Sequence, residues 1–474
     1  MDLVSEASRR FGEAPALITP ERRRSFRECD RESALMAATL ASMGIGQGDI
    51  VAVVASNSPE LLILLMALLR LGAVAAPINH RFPASHVNGV LHRLGPKLTL
   101  LDPQACPELA VEGAVTLESF IERARTNPTT LFSAAQEVTR PVSIIHTSSS
   151  SGAPKAALHS FSNHWHNAAG SARNLPFGPG DCWLLSLPLY HIGGYSMLFK
   201  SLIGGGAIAF GGPARSLEES LSSLPVTHIS LVPTQLYRLL RSSHCATVMK
   251  AMKAILLGGS AASAPLLDEA VSAGLPIYLT YGSTEMGSQV STSASPVTAP
   301  ASDSGSILPF RDARISCDGE ILVKGPCLFM GYLDANGLSE ARDDEGWFHT
   351  GDDGMISENR KLTVLGRRDR MFISGGENIH PEEIEKALAA IPGIEEALVV
   401  PTPDREYGMR PTAFILPAEG GGPSDDAITS RIGRELGRLK TPVSFSRVNA
   451  WRTIPGSAKI DREWYRGEVR RDEK

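Results

Sequence analysis

Five short segments of the chain combine residue types that can bind phosphate, metal or nucleoside. The first is a hydroxyl-rich turn, made of Thr147, Ser148, Ser149, Ser150, Ser151 and Gly152, with Lys155 shortly after it. Backbone N–H and side-chain O–H donors in such a turn suit phosphate oxygens, and the lysine adds a positive charge. The segment is not a Walker A loop, because no Ser or Thr follows the lysine. Taken alone, it could equally be a flexible serine-rich linker.

Two further segments combine a tight turn with a carboxylate. The second segment consists of Tyr281, Gly282, Ser283, Thr284 and Glu285. Its aromatic ring can stack on a nucleobase, its hydroxyls can bind phosphate and its carboxylate can hold Mg²⁺. The third segment ends in Asp352, a carboxylate after a glycine turn that suits the two hydroxyls of a ribose. In isolation both segments could be ordinary turns.

The last two segments lie closer to the C-terminus. The fourth contains Arg367, Asp369, Ser374, Gly375 and Gly376. Paired glycines permit a close approach of the backbone to a ligand. The fifth contains Lys459 in a polar stretch, where a lysine could simply be a solvated surface residue.

Alternating strand-like and helix-like runs must position these segments. The apolar runs at 50–54, 183–187 and 254–257 are typical of buried strands, and the runs at 61–69 and 233–240 are typical of helices. Such alternation predicts an α/β fold with mostly parallel sheets that helices cover on both faces.

The sequence changes character at a charged run near residues 366–370. Beyond this run we predict a helix at 381–390 and a strand at 397–400. We therefore predict two domains, since 474 residues exceed one ordinary core. The large N-terminal domain of parallel sheets with helices would span 1–368, and a small mobile α+β domain would span 369–474.

The composition excludes several functional classes. With a net charge of −5 there is no sign of a basic face, so no nucleic-acid partner is predicted. The N-terminus has acidic residues and no apolar core, unlike a signal peptide, and the longest apolar run, at 61–69, is too short to span a bilayer. Six scattered cysteines without a CxxC pair argue against zinc and disulfides. A cytoplasmic protein without a membrane span is predicted.

In this order, the five segments resemble those of the adenylate-forming superfamily, which contains acyl-CoA synthetases, nonribosomal adenylation domains and luciferases. The resemblance extends from about residue 26 to residue 462. Within the superfamily, the sequence is most similar to the o-succinylbenzoate–CoA ligases of menaquinone biosynthesis. The stretches that carry this likeness are 154–160, 183–191, 230–236 and 374–383. The resemblance implies a ligase that forms an acyl-AMP from ATP and a carboxylate, then passes the acyl group to coenzyme A.

The resemblance also implies a role for each candidate residue. Lys459 would bridge the α-phosphate and the attacking carboxylate, and Lys155 with the loop hydroxyls would hold the β- and γ-phosphates. Glu285 would bind Mg²⁺, and Thr284 would contact the α-phosphate. Tyr281 would stack on adenine. The remaining predicted ATP contacts are Gly259, Ser260, Gly282, Ser283 and the ribose-binding pair Asp352 and Arg367.

The second half-reaction implies further roles. The loop formed by Ser374, Gly375 and Gly376 would line a tunnel for coenzyme A. Asp369 would act as a hinge about which the small domain rotates and removes the catalytic lysine. His191 would line the acyl pocket near the tunnel and belong to the catalytic group, although a structural histidine after a strand end is the alternative.

Two residues depart from the family pattern. Ser149 stands where the family usually has Gly, and Gly193 stands where succinylbenzoate enzymes often have Ser. Other interpretations remain open: another aryl- or fatty-acyl-CoA ligase, an enzyme that delivers to a carrier-protein thiol, or a nucleotide-binding protein without catalysis. The predicted partners are a small aromatic or acyl carboxylate and coenzyme A, and a homodimer is expected because relatives commonly form one.

Overall fold

The structure is a computed structural model of the chain. It describes residues 2–127, 137–147, 154–212, 215–301, 303–375, 377–404, 406–418, 420–455 and 459–471.

The elements of the first third alternate between helices and strands. They are α1 (Leu3–Phe11), β1 (Pro15–Ile18), β2 (Arg23–Ser25), α2 (Phe26–Ser42), β3 (Ile50–Val54), α3 (Pro59–Leu71), β4 (Val74–Ile78), α4 (Ala84–Leu94), β5 (Leu98–Leu101), β6 (Val115–Thr116), α5 (Leu117–Thr126), β7 (Pro141–His146) and β8 (Ala156–Ser160).

The middle third continues this alternation. Its elements are α6 (Phe161–Asn174), β9 (Cys182–Leu184), α7 (Ile192–Gly204), β10 (Ala207–Ala209), α8 (Leu217–Ser223), β11 (His228–Leu231), α9 (Pro233–Leu240), α10 (Ser243–Lys250), β12 (Ala254–Leu257), α11 (Ala264–Ser272), β13 (Ile277–Ser283), β14 (Ser288–Thr292) and β15 (Ser306–Ile307).

The last third is richer in antiparallel strands. Its elements are β16 (Asp312–Ile315), β17 (Glu320–Lys324), β18 (Gly331–Asp334), β19 (Gly337–Ser339), β20 (Phe348–Ile356), β21 (Leu362–Arg367), β22 (Phe372–Ser374), β23 (Glu377–Ile379), α12 (Pro381–Ala389), β24 (Ile394–Asp404), β25 (Gly408–Pro417), α13 (Asp425–Leu436), a 3₁₀ turn (Arg438–Lys440), β26 (Ser444–Arg447) and α14 (Arg462–Arg471).

Two large mixed sheets dominate the N-terminal part. One has the strand order β15-β14-β13-β12-β11-β9-β10-β1-β2, and the other has the order β19-β18-β8-β7-β4-β3-β5-β6. In the first sheet the central strands are parallel, for instance β12 with β11 and β13. In the second sheet β7, β4, β3, β5 and β6 pair in parallel, whereas β7 with β8 and the strands beyond β8 are antiparallel. The predicted α/β fold class is therefore confirmed, with sheets that are mixed rather than purely parallel.

Helix α3 shows why the core of these sheets forms. Ser58 Oγ accepts a hydrogen bond from the backbone N–H of Leu61, and Gly72 ends the helix in the left-handed conformation. All side chains from 61 to 71 are buried, and they belong to one apolar core that includes residues from strands of both large sheets. A helix that is apolar on all sides is stable only inside a core. The apolar run at 61–69 is thus a buried helix, as predicted.

Two smaller antiparallel sheets follow. One has the order β16-β17-β20-β21, and the other has the order β23-β22-β25-β24, with β26 pairing in parallel with β25. Helices α12 and α13 cover the second sheet and share its apolar core. The predicted helix at 381–390 is present as α12, and the predicted strand at 397–400 lies inside the longer β24. The domain boundary between 368 and 369 stays a prediction.

One predicted strand is shorter than expected. The apolar run at 183–187 is extended only as far as Leu184, the end of β9. Beyond it the chain makes a tight irregular path, in which Ser186 Oγ donates to the carbonyl of Ser230. Across the ranges that the structure describes, no helix is both long enough and apolar enough to cross a membrane.

Candidate active site

The two ends of the predicted phosphate loop lie side by side at the tip of the β7–β8 hairpin. The backbone N–H of Thr147 donates to the carbonyl of Lys155 at 2.9 Å, and the N–H of Lys155 donates to Thr147 Oγ1 at 3.3 Å. The hairpin register, which pairs His146 with Ala156, sets this closure. Residues 148–153, which include the predicted contacts Ser148, Ser149, Ser150, Ser151 and Gly152, lie outside the described residues.

The turn after β13 carries Thr284 and Glu285 and is held from two directions. His159 Nε2 donates a 2.7 Å hydrogen bond to the carbonyl of Thr284, because a carbonyl can only accept. Complete burial lowers the pKa of His159, so its ring is neutral at pH 7. The backbone N–H of Phe329 donates to the carbonyl of Glu285 at 2.7 Å. Since His159 lies on β8, the turn is tied to the strand that leaves the phosphate loop.

A tyrosine connects the predicted metal ligand with the predicted phosphate-binding lysine. The hydroxyl of Tyr332 donates to Glu285 Oε1 at 2.6 Å, and the Lys155 ammonium lies 4.9 Å from the centroid of the same ring. Burial, followed by the charge of Glu285, raises the pKa of Tyr332, so the phenol stays protonated. The structure thus brings together two residues that are 130 positions apart.

The second, third and fourth segments meet at one carboxylate. The hydroxyl of Tyr281 donates to Asp352 Oδ2 at 2.6 Å, and Arg367 Nη1 donates to Asp352 Oδ1 at 3.2 Å and to the carbonyl of Thr350 at 3.1 Å. Burial raises the pKa of Asp352, and the hydrogen bonds from Tyr281 and Arg367 oppose that shift. The positive φ of Gly351, 71°, forms the turn that presents the carboxylate.

The fifth segment, which contains Lys459, lies near Arg367 and His191. Burial lowers the pKa of Lys459, and the nearby positive charges of Arg370 and then Arg367 lower it further. Burial lowers the pKa of His191 to about 4, and the charge of Lys459 followed by that of Arg81 adds to the shift. The lysine from the C-terminal part therefore lies within electrostatic reach of both Arg367 and His191.

His191 sits at the start of α7 on a loop that one amide fixes. Asn57 Nδ2 donates to the carbonyl of Leu187 at 3.0 Å, while the N–H of Leu189 donates to Asn57 Oδ1 at 2.8 Å. A Cβ at Gly194 would stand 2.2 Å from the carbonyl oxygen of Pro188, so this loop requires glycine there. Sequence reasoning missed Asn57, because its partners lie 130 residues away and no local pattern marks them.

The glycine at position 193 is less constrained. Its added Cβ would meet only Leu187 Cδ1, at 2.9 Å, which is the end of a flexible side chain. A serine at this position would fit after a small movement of that leucine. The departure at Gly193 is therefore compatible with the same loop path.

The remaining predicted contacts occupy two other places. Gly259 and Ser260 follow β12, whose carboxyl end lies next to that of β13, and Gly259 has a φ of +84°. Ligands of α/β sheets commonly bind at such carboxyl ends. Because β12 pairs with β13, Gly259 and Ser260 lie near Tyr281, which is close to the carboxyl end of β13. Gly282 and Ser283 complete β13 and pair with β14.

Two of the predicted CoA-tunnel residues, Ser374 and Gly375, lie at the end of β22 in the C-terminal part of the chain. Ser374 is buried at the end of β22, and a Cβ at Gly375 would stand 2.9 Å from Tyr407 Cδ1. Gly376 lies outside the described residues. Near the predicted hinge, Arg367 Nε donates to Asp369 Oδ1 at 3.3 Å. One arginine thus contacts both the predicted hinge and the carboxylate of Asp352.

The donor set around Glu285 fits magnesium bound together with phosphates. Within the ranges that the structure covers, no group of three or more His, Cys, Asp or Glu side chains could hold a metal ion. Mg²⁺ is commonly bound by one or two carboxylates plus substrate phosphates and water. Tyr332 occupies one oxygen of Glu285, which leaves Oε2 for such an ion.

Comparison with known proteins identifies relatives along nearly the whole chain. The model of the AMP-binding enzyme family matches residues 4–333, and the model of its C-terminal domain matches residues 383–455. The 2-succinylbenzoate–CoA ligase of Salmonella typhimurium is 35% identical over 447 residues, covering 94% of this chain and 92% of that protein.

Solved structures agree with these matches. The o-succinylbenzoate CoA synthetase of Bacillus subtilis in complex with its acyl-adenylate intermediate is 29% identical, with a TM-score of 0.87 over 98% of this chain and 97% of that one. The same enzyme in complex with ATP and a magnesium ion superposes with a TM-score of 0.86, at 29% identity and 98% coverage of both chains.

Proposed function

Because this chain belongs to the family of AMP-binding enzymes, we propose that it is an AMP-forming acid–thiol ligase that uses ATP, Mg²⁺ and coenzyme A. The position of Lys459 carries the proposal. Lys459, remote in sequence, lies within electrostatic reach of Arg367 and His191, and Arg367 contacts the same Asp352 carboxylate that Tyr281 holds. That is where the α-phosphate and the carboxylate substrate would meet.

In the first half-reaction a carboxylate oxygen attacks the α-phosphate, the bond to the β-phosphate breaks and pyrophosphate leaves. Two anions must approach each other, so charge neutralisation is the main task of the site. Lys459 would lie between the carboxylate and the α-phosphate, and Lys155 would hold the departing phosphates at the mouth of the β7–β8 hairpin. Thr284 would contact the α-phosphate.

Magnesium, when bound to Glu285 and the phosphates, would neutralise the charge on the leaving pyrophosphate. The chain itself fixes where that carboxylate points. His159 holds the carbonyl of Thr284, Phe329 holds the carbonyl of Glu285, and Tyr332 holds one carboxylate oxygen. Such preorganisation avoids reorientation of the site during the reaction.

The nucleoside would lie against the Tyr281 ring, with its ribose hydroxyls on Asp352. Tyr281 and Arg367 already point a donor at each oxygen of that carboxylate, so the acceptor is oriented before the nucleotide binds. The remaining contacts to adenosine would come from the carboxyl ends of β12 and β13, at Gly259, Ser260, Gly282 and Ser283. The hydroxyls and backbone of residues 147–152 would surround the β- and γ-phosphates.

In the second half-reaction the CoA thiol loses its proton, attacks the acyl carbon and displaces AMP. We propose that Ser374, Gly375 and Gly376 line the path of the pantetheine and that the chain turns about Asp369. The small domain, residues 369–474, would then carry Lys459 away from the site. His191 would line the acyl pocket as a neutral side chain, since burial and Lys459 keep its pKa at about 4.

The substrate is proposed from the relatives. Enzymes named 2-succinylbenzoate–CoA ligase match this chain over more than nine-tenths of both lengths, which supports o-succinylbenzoate and a place in menaquinone biosynthesis. A cytoplasmic location, small-molecule partners rather than nucleic acids, and a homodimer belong to the same proposal.

The test measures pyrophosphate release and thioester formation with Mg-ATP, coenzyme A and a panel of acids. The panel contains o-succinylbenzoate, benzoate, coumarate and medium- and long-chain fatty acids, with Lys459→Ala as the control. Turnover confined to o-succinylbenzoate and lost in the variant is expected. Turnover with another acid would keep the ligase and overturn the substrate. Tight ATP binding without turnover on any acid would favour a non-catalytic nucleotide-binding protein.

A further inference from the structure

The arrangement around Tyr332 contains a feature that the proposed chemistry alone does not explain. Lys155 and Glu285 carry opposite charges and contact the same aromatic side chain, Lys155 at the ring face and Glu285 at the hydroxyl. Among the described residues, neither charge has an ion-pair partner within 4.0 Å. The phenol of Tyr332 binds the carboxylate, and its ring lies beneath the ammonium.

The ring of Tyr332 is fixed by the fold. Its strand, β18, pairs with β8, so that Tyr332 lies opposite Ala157, two residues after Lys155. The ring of Phe329 packs against it, with centroids 4.8 Å apart and planes at 70°. Phe329 also binds the carbonyl of Glu285 through its backbone N–H. The same short segment therefore contacts the strand after the phosphate loop, the metal-binding turn and the tyrosine ring.

We propose that Tyr332 is a positioning residue that keeps Lys155 and Glu285 from pairing with each other. This inference rests on the proposed function, since it assigns Glu285 to Mg²⁺ and Lys155 to the phosphates. A direct ion pair would neutralise both groups and would have to break before Mg-ATP could bind. The phenol satisfies Glu285 Oε1 and leaves the other oxygen for the metal, while a cation–π contact holds the ammonium without using any of its donors.

The two halves of this role can be separated by substitution. Tyr332→Phe keeps the ring under Lys155 and removes the hydrogen bond to Glu285. Tyr332→Leu removes both. Tyr237→Phe is the matched control, because its ring lies under the Arg241 guanidinium at 4.2 Å on α9 and loses the same hydroxyl.

The measurement is ATP affinity by titration calorimetry, with excess Mg²⁺ and with EDTA. Tyr332→Phe is expected to weaken the binding of Mg-ATP about tenfold, because Glu285, the proposed metal ligand, loses a hydrogen bond. The affinity for metal-free ATP should change by less than about twofold, because the ring under Lys155 is kept. Tyr332→Leu is expected to weaken both, since Lys155 can then pair with Glu285. The control should bind both as the wild type does.

A double variant shows whether the effect passes through the carboxylate. In a Glu285→Gln background, Tyr332→Phe should cause no further loss of Mg-ATP affinity. Equal losses with and without Mg²⁺, or a full effect in that background, would overturn the inference. Thermal unfolding of each variant within a few degrees of the wild type checks that the fold is intact. A wild-type protein that binds Mg-ATP but forms no thioester would instead overturn the ligase proposal alone.

Discussion

The hydroxyl of Tyr281 donates a 2.6 Å hydrogen bond to Asp352, a residue 71 positions further along the chain. The bond joins the end of β13 to the turn in β20 and sets the direction of the carboxylate that we assign to the ribose. Both side chains are largely buried, so the bond is shielded from water. A tyrosine predicted only as a stacking ring therefore also orients the neighbouring acceptor.

Removal of that hydroxyl should weaken nucleotide binding without removing the ring. In Tyr281→Phe, Asp352 loses one of its two donors, and we expect AMP to bind about tenfold more weakly because a hydrogen bond to a charged group is lost. Calorimetric titration with AMP measures the effect. Tyr278→Phe, a tyrosine on the same strand, is the control. Unchanged AMP affinity would show that Asp352 is oriented by Arg367 alone.

Lys459→Ala should separate the two half-reactions. A preorganised charge at the transition state is worth roughly 3–4 kcal/mol, so acyl-AMP formation should fall by a hundredfold or more. Thioester formation from chemically prepared acyl-AMP and coenzyme A should change by less than about tenfold, because the lysine is proposed to leave the site before that step. Quenched-flow assays of each step test the prediction. Equal losses in both steps would contradict the proposed rotation about Asp369.

The amide of Asn57 should control the acyl pocket through the loop that carries His191. Asn57→Asp keeps the acceptor for the N–H of Leu189 but loses the donor to Leu187, and places a negative charge beside that carbonyl. We expect the KM for the acid to rise about tenfold, with a smaller change in the KM for ATP. Steady-state kinetics with each substrate varied in turn provide the test. Asn336→Asp, in an exposed turn, is the control.

Buried histidines should make the fold sensitive to mild acid. Burial lowers the pKa values of His146 and His228 to about 4, and it also lowers those of His159 and His164, below the ordinary value of 6.5. The unfolded chain therefore binds more protons than the folded chain between these values, and stability must decrease as the pH falls from about 6.5 towards 4.

Urea unfolding between pH 7.5 and 4.5 measures this dependence. His228→Gln should reduce the slope, because one of the titrating buried rings is gone. Above pH 7 the histidines contribute no slope, since the rings are neutral in both states. A stability that stays constant down to pH 4.5 would contradict the assigned burial of these groups.

The alternation of strand-like and helix-like runs was enough to predict the α/β fold, because each run carries its own local signal. The run at 61–69 is apolar on every side, so it can only be a buried helix, and α3 is such a helix. The turn residues around Glu285 and Asp352 could be selected as candidates because glycine and hydroxyl residues mark ligand-binding turns. The assignment of Lys459 to the active site depended on the family resemblance, because no local sequence pattern around this lysine indicates it.

Only the tertiary structure decided which of these side chains touch. The hydrogen bonds that arrange the site join residues 71 to 132 positions apart. They link Tyr281 with Asp352, His159 with Thr284, and Asn57 with the loop before His191. No periodicity of helix or strand extends over such separations, because local patterns record burial and not the partner of a given side chain. Tyr332 is the clearest case: the sequence shows an aromatic residue after a glycine, whereas the pairing of β18 with β8 places its hydroxyl on Glu285 and its ring under Lys155.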